Sequence, residues 1–100
     1  MVVVDRNWRF SHDDLRGELD LVAWDGPTLV IIEVKARRGT AAGGPLVAVT
    51  PRKLVQLRRL AGAWLAAHPV RAADVRLDVV GVTWPLRGGD PTVDHVVGVG

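Results

Sequence analysis

Four apolar residues in succession, Leu29-Val30-Ile31-Ile32, run directly into the alternating segment Glu33-Val34-Lys35. A stretch that is apolar on both faces of an extended chain belongs in the middle of a sheet, covered on both sides. Just ahead of it Asp25-Gly26-Pro27 is a strong turn signal, and Gly17 to Trp24 reads as the strand before that turn. The two strands are expected to form an antiparallel hairpin. The chain is therefore built around a central strand that leaves the core through a charged end.

The remaining elements follow from periodicity. Val2 to Phe10 reads as a strand, with Arg6, Trp8 and Phe10 at spacing two, and Ser11-His12-Asp13-Asp14 as a polar loop. Arg37 to Val49, with Gly39, Gly43, Gly44 and Pro45, reads as a loop. Thr50-Pro51 starts a helix, threonine capping the free amides and proline suiting the first helical position. Leu54, Leu57, Ala61, Trp64 and Leu65 make its apolar stripe; Arg52, Lys53, Gln56 and Arg59 lie largely off it; His68-Pro69 ends it. Val75 to Thr83 is a fourth strand, and Val93 to Val97 a fifth after the Gly88-Gly89 turn. One α/β domain over residues 1–100 is expected, a mixed sheet of about five strands against one main helix.

The chain has no cysteine, which excludes disulfides and thiolate metal sites. No apolar run approaches the roughly 18 residues a membrane span needs, and Met1 to Phe10 hold no signal-peptide core. A cytoplasmic protein without a membrane partner is the expectation. Charge is unevenly spread: Met1 to Glu33 carry seven acids and three bases, whereas Val34 to Ala73 carry eight bases and no acid. A basic block beside an acidic segment suits a phosphate-binding surface next to a cation site. The plainer alternative is a solvated helix face with a basic loop.

Alternation along strands puts Glu18, Asp20 and Val22 on one face, and Leu29, Ile31, Glu33 and Lys35 on one face of the next strand. A four-residue loop from Asp25 to Thr28 pairs Trp24 with Leu29 and sets Asp20 opposite Glu33 and Glu18 opposite Lys35. A two-residue loop sets Glu18 opposite Glu33, and a three-residue loop carries Glu33 to the other face. Opposed carboxylates lie about 4.5–5.5 Å apart at Cβ, where like charges repel and a cation or a shared proton is needed. Oxygen ligands favour Mg²⁺ or Mn²⁺. With Lys35 on the same face the layout suits metal-assisted phosphodiester hydrolysis. The plainer alternative makes Glu33 and Lys35 the charged end of a buried strand. Against it, Glu33 follows four apolar residues directly, where a charge without a partner is costly.

At these residues a resemblance enters. Gly17-Glu18-Leu19-Asp20-Leu21-Val22-Ala23, Glu33-Val34-Lys35-Ala36-Arg37-Arg38, Gly44-Pro45, Val49-Thr50-Pro51-Arg52-Lys53 and Arg76-Leu77-Asp78-Val79-Val80 resemble, in order, the bacterial uncharacterised protein family 0102 (YraN-like). That family is similar to archaeal Holliday-junction resolvases and, through them, to the PD-(D/E)XK nucleases. The resemblance implies a restriction-endonuclease-like fold and a divalent-metal nuclease acting on DNA rather than RNA, on branched or single-stranded substrates. It implies Asp20 and Glu33 as metal ligands, with the Val34 carbonyl also on the metal and Lys35 orienting or deprotonating water. Glu18 and Gln56 are candidates for supporting that site, and Arg37, Arg38, Arg52, Lys53 and Arg59 for holding nucleic acid. Leu19 stands where the superfamily often has proline. Relatives open with a helix carrying a further glutamate, whereas this chain begins at the following strand. A fold lacking that N-terminal helix is expected, with the true start upstream or that ligand absent.

Other chemistries are set aside. Ser11 is the only serine, and His12 beside it has no orienting acid at a recognisable spacing. His12, His68 and His95 have no zinc spacing, and His95 reads as structural. Gly43-Gly44-Pro45 lacks the lysine and hydroxyl of a phosphate loop. Trp64 belongs to the core; Trp8, Trp24 and Trp84 are read as packing before base stacking. Two other functions compete with the nuclease: a nucleic-acid-binding module without turnover, and a protein-interaction domain. Finally, a sheet carrying Val3, Leu21, Val30, Ile32 and Val79 needs cover on both faces while one helix covers one, so a two-fold homodimer is expected.

Overall fold

The computed structural model describes residues 1–39 and 49–100. Its elements are β1 (Val2–His12), β2 (Leu15–Asp25), β3 (Thr28–Arg38), α1 (Pro51–Ala67), β4 (Asp74–Trp84) and β5 (Thr92–Val96). They form a mixed sheet in the order β1-β2-β3-β4-β5, with β3 in the middle. Neighbours are antiparallel except β3 and β4, which run parallel and are joined through α1. A parallel pair needs such a crossover, because a tight hairpin cannot return the chain in the same direction. Among the described residues the α/β class, the five strands, the single helix and the central place of Leu29–Ile32 are as the sequence predicts. Those four residues are at most 5% exposed.

One loop is shorter than expected, and one strand is longer. Ser11 and His12 pair with Arg16 and Leu15, so only Asp13-Asp14 turns the chain. Asp13 takes φ 51, a left-handed value that aspartate tolerates and that tight hairpin turns demand. β3 runs on through Arg37 and Arg38, which the sequence assigns to the following loop. The Gly43-Gly44-Pro45 part of that expected loop lies outside the described residues.

Helix α1 starts as its sequence requires. The Thr50 hydroxyl accepts the Lys53 amide at 3.1 Å, with Pro51 in the first turn. Leu57, Leu60, Ala61 and Trp64 are buried against Leu19, Val22, Leu29, Ile31 and Leu77. Each such leucine contributes roughly 1.5–3 kcal/mol on burial. Trp64 Nε1 donates to Asp5 Oδ2 at 2.8 Å, which satisfies its one polar atom and ties the helix to β1.

The other sheet face is less bare than the sequence suggests. Ala23, Val30 and Ile32 form a second cluster, at most 5% exposed in the single chain, with Leu21, Val34 and Val80 against it. Val79 is fully buried, and of the five aliphatics expected to need a partner only Val3 is exposed, at 40%. Arg76, beside Val30 in the sheet, reaches Asp25 Oδ2 at the β2–β3 turn at 2.9 Å, so its stem lies along this face. Long charged side chains cover apolar surface in this way while their heads stay polar.

Candidate active site

The β2–β3 hairpin sets the geometry. Asp25 pairs with Thr28, so the turn is Gly26-Pro27 alone, with Gly26 at φ 58. Trp24 faces Leu29, and the ladder ends at Leu21 and Ile32. One further step would set Asp20 opposite Glu33. The two-residue turn thus gives the Asp20 register and not the Glu18 register expected of it, because Asp25 and Thr28 belong to the ladder rather than to the loop.

At that step the alternation of β2 slips. Leu19 and Val22 are three residues apart, yet both enter the cluster under α1. A Cβ on Gly17 would meet Leu60 and Gln56 of the helix, so Gly17 and Leu19 share the helix-side face below the slip. β1 slips at the same level: Asp5 and Trp8, also three apart, both reach the helix side. The β1–β2 register is kept across this level, from Arg6–Leu21 to Trp8–Leu19 with Asn7 and Asp20 out of the ladder between them, and Asn7 takes φ 49; the register shift of this strand pair lies between Val3 and Asp5. Asp20 therefore stands at a kink shared by two strands. Its Oδ2 accepts the Val34 amide at 2.8 Å, which lays the carboxylate beside the peptide joining Glu33 to Val34.

Glu33 and Lys35 follow Ile31 on the helix-side face of β3. Glu33 is 5% exposed, and a carboxylate that buried needs a counter-charge. It has two. Lys35 Nζ lies 3.4 Å and Lys53 Nζ 3.6 Å from Glu33 Oε1. From sequence Lys53 is expected on nucleic acid; in the structure it pairs with Glu33 instead. The signal was available: a crossover helix begins near the end of the strand it follows, and the Thr50-Pro51 start puts Lys53 in its first turn.

The other expected residues are placed as follows. Glu18 lies between Gly17 and Leu19 and points away from α1, where Arg9 Nε is 3.5 Å from its Oε2. The expectation that it shares a face with Val22 fails because of the slip. Gln56 Nε2 donates to the Arg16 carbonyl at 2.6 Å and so fastens α1 to the start of β2. Arg59 Nη2 binds Asp14 Oδ1 at 3.0 Å at the β1–β2 turn. That hydrogen bond, with the guanidinium charge, holds the Asp14 carboxyl below its ordinary value. Arg38 and Arg52 are exposed and Arg37 is half-buried, and among the described residues none of the three is ion-paired.

The residues that could hold a metal are Asp20, Glu33 and the Val34 carbonyl, an all-oxygen set suited to Mg²⁺ or Mn²⁺. No cluster of three or more histidines, cysteines, aspartates and glutamates occurs among the described residues. Two carboxylates are nevertheless enough for Mg²⁺, which usually keeps several waters and takes substrate phosphate.

Across the sheet, facing away from α1, is a polar cluster that sequence reasoning glimpsed only in part. Asp78, 1% exposed, receives Arg76 Nε and the Gly98 amide on Oδ1, and Arg76 Nη2 on Oδ2. His95 Nε2 lies 2.8 Å from the same Oδ2. Burial alone would raise the Asp78 carboxyl, but these hydrogen bonds and the Arg76 charge outweigh it and hold the group below its ordinary value. Hydrogen bonds to Asp78 and then Asp25 raise Arg76 in turn. The network pins β5 and the C-terminal segment to β4. The structural part read for His95 is consistent with this, and the Arg76-x-Asp78 alternation was the signal for the rest.

Comparison with known proteins places the chain among bacterial relatives. The profile of the uncharacterised protein family UPF0102 matches residues 1–82, which include every residue of the site. The UPF0102 protein of Kineococcus radiotolerans is 59% identical over 100 residues, covering 99% of this chain and 78% of that protein. Those of Beutenbergia cavernae and Clavibacter michiganensis are 54% and 52% identical, covering 98% and 94% of this chain and 79% and 75% of theirs.

Proposed function

The chain belongs to the uncharacterised protein family UPF0102, and from that premise and the geometry of its site we propose that it is a divalent-metal-dependent nuclease acting on DNA. The observation that carries this reading is the Asp20 carboxylate bound at the Glu33–Val34 peptide, beside a buried Glu33 that Lys35 neutralises. Asp20, Glu33 and the Val34 carbonyl would hold Mg²⁺ or Mn²⁺. The bound ion would supply a Lewis acid for the phosphate and a water acidic enough to attack near neutral pH. Lys35 then orients that water and offsets charge developing on the phosphate. Arg37, Arg38 and Arg52 meet the backbone of the strand, where neutralised phosphates release counterions. A cytoplasmic location and a homodimer joined along β1, whose Val2, Val3 and Val4 are exposed, complete the proposal.

The test is cleavage of branched, linear and single-stranded DNA with Mg²⁺ or Mn²⁺, with Glu33→Gln as control. Metal-dependent products that vanish in the variant support the reading. Tight DNA binding without cleavage under any of these conditions would replace it with a binding module, and neither binding nor cleavage would point to a protein-interaction domain. Sedimentation at micromolar concentration decides the dimer: a clean monomer refutes it.

A further inference from the structure

Glu33 carries one negative charge and touches two ammonium groups, so the pairing holds one cation more than it needs. The two lysines are not equivalent. Lys35 shares the central strand with Glu33, two residues on, and the sheet fixes their relation. Lys53 comes from the first turn of α1, a turn with no acidic residue. Partial positive charge from unpaired amides gathers there and disfavours a lysine. Its contact with Glu33 offsets that conflict. Anything that neutralises Glu33 removes the compensation and leaves Lys53 facing like charge.

We propose that Lys53 is a place-holder for the divalent cation: its ammonium keeps the Glu33 carboxylate paired while the metal is absent, and gives that carboxylate up when the metal binds. This rests on the nuclease reading and adds a role for a residue outside the Asp20, Glu33 and Lys35 set. Released Lys53 remains at the N-terminal end of α1, where anions are favoured, and there takes a phosphate of the nucleic-acid strand. Lys53 is thus a positioning residue that couples metal binding to substrate binding. Without Lys53, the buried Glu33 would keep only Lys35 as an ion-pair partner among the described residues.

Mn²⁺ titrated calorimetrically into the full chain, as wild type, Lys53→Met and Lys53→Gln, tests the idea without any cleavage readout. Losing a competing ion pair of this exposure should tighten Mn²⁺ binding by about two- to fivefold in both variants. DNA affinity measured with Ca²⁺ should fall in both variants, and much less so with chelator, because in wild type Lys53 is then engaged by Glu33. A third measurement needs no variant: the Lys53 side-chain resonance of the wild type should shift on Mg²⁺ addition. Unchanged or weaker Mn²⁺ binding in folded variants, or a Lys53 resonance blind to Mg²⁺, overturns the place-holder and leaves the nuclease reading intact. If wild type and variants alike bind no Mn²⁺, both fall together.

Discussion

Replacing Asp78 by asparagine should destabilise the domain by about 3 kcal/mol, near the lower end of what removing one partner of a buried ion pair costs. Both carboxylate oxygens are used: Oδ1 takes Arg76 Nε and the Gly98 amide, and Oδ2 takes Arg76 Nη2 and contacts His95. Asparagine keeps one acceptor and puts an NH₂ group where the other stood, so a donor faces Arg76 or Gly98 and the charge of the pair is lost. The lower end applies because Arg76 is 23% exposed and keeps Asp25 as a second partner. At about 4–8 °C per kcal/mol for a domain of this size, Tm should fall by roughly 12–24 °C. Urea unfolding followed by circular dichroism measures this, and His95→Ala serves as the comparison. That variant loses one contact from a side chain 37% exposed and should cost about 1 kcal/mol.

The pH dependence gives a second handle. The Asp78 carboxyl is depressed in the folded protein, so its contribution is fully present above the unfolded value, about 3.9, and is lost as pH falls through the folded one. The stability gap between wild type and Asp78→Asn should therefore be constant from pH 7 down to about 5 and narrow below about 4. A gap under about 1 kcal/mol at pH 7, the scale of one ordinary hydrogen bond, would refute the argument. So would a gap that widens in acid.

Lys35→Ala should lower single-turnover cleavage by about 10²–10⁴-fold while DNA affinity stays within a few-fold, and parental cleavage would remove Lys35 from the chemistry. Alanine at Arg37, Arg38 and Arg52 together should reduce the slope of log affinity against log salt by about 2–3, while an unchanged slope would place the phosphate contacts elsewhere. Gly17→Ala puts a Cβ 2.8 Å from Leu60 Cδ1 and 2.9 Å from Gln56 Nε2. It should destabilise by about 1–3 kcal/mol, as overpacking does; a gain in urea midpoint would show that α1 can shift aside.

The parts of the fold that sequence made legible are those governed by local pattern. The Leu29–Ile32 run marks the central strand because nothing polar interrupts it on either face. Thr50-Pro51 marks the start of α1 because capping is chemistry between near neighbours. The cover over Val30 was not legible in the same way, since it depends on Arg76 crossing from β4 to Asp25. A count of aliphatics against helices cannot register an arginine stem. Lys53 was hidden for a related reason: the basic block pointed to phosphate for it as for Arg37, Arg38, Arg52 and Arg59, and only the parallel crossover brings this one onto Glu33.

The slip at Asn7 and Asp20 joins core packing to the site. If β2 alternated without a break, Leu15, Gly17 and Leu19 would face away from α1 whenever Val22 and Trp24 faced it, and the helix would meet Arg16 and Glu18 instead. One slip lets both halves of the strand bury their apolar residues, and it falls on the residue whose carboxylate must leave the ladder to reach the Val34 amide. Asn7 across the kink takes φ 49, which asparagine and glycine adopt far more readily than a β-branched residue. Its side chain is exposed, so substitution there tests backbone and little else. Asn7→Gly should leave stability within about 0.5 kcal/mol, whereas Asn7→Val should lose about 1–3 kcal/mol as the kink is strained. The valine variant should also bind Mn²⁺ more weakly than the glycine variant when both are fully folded, because Asp20 is held where the kink puts it. Equal urea midpoints and equal Mn²⁺ affinities for the two variants would mean that the kink is not set by Asn7, and that Asp20 owes its position to Val34 alone.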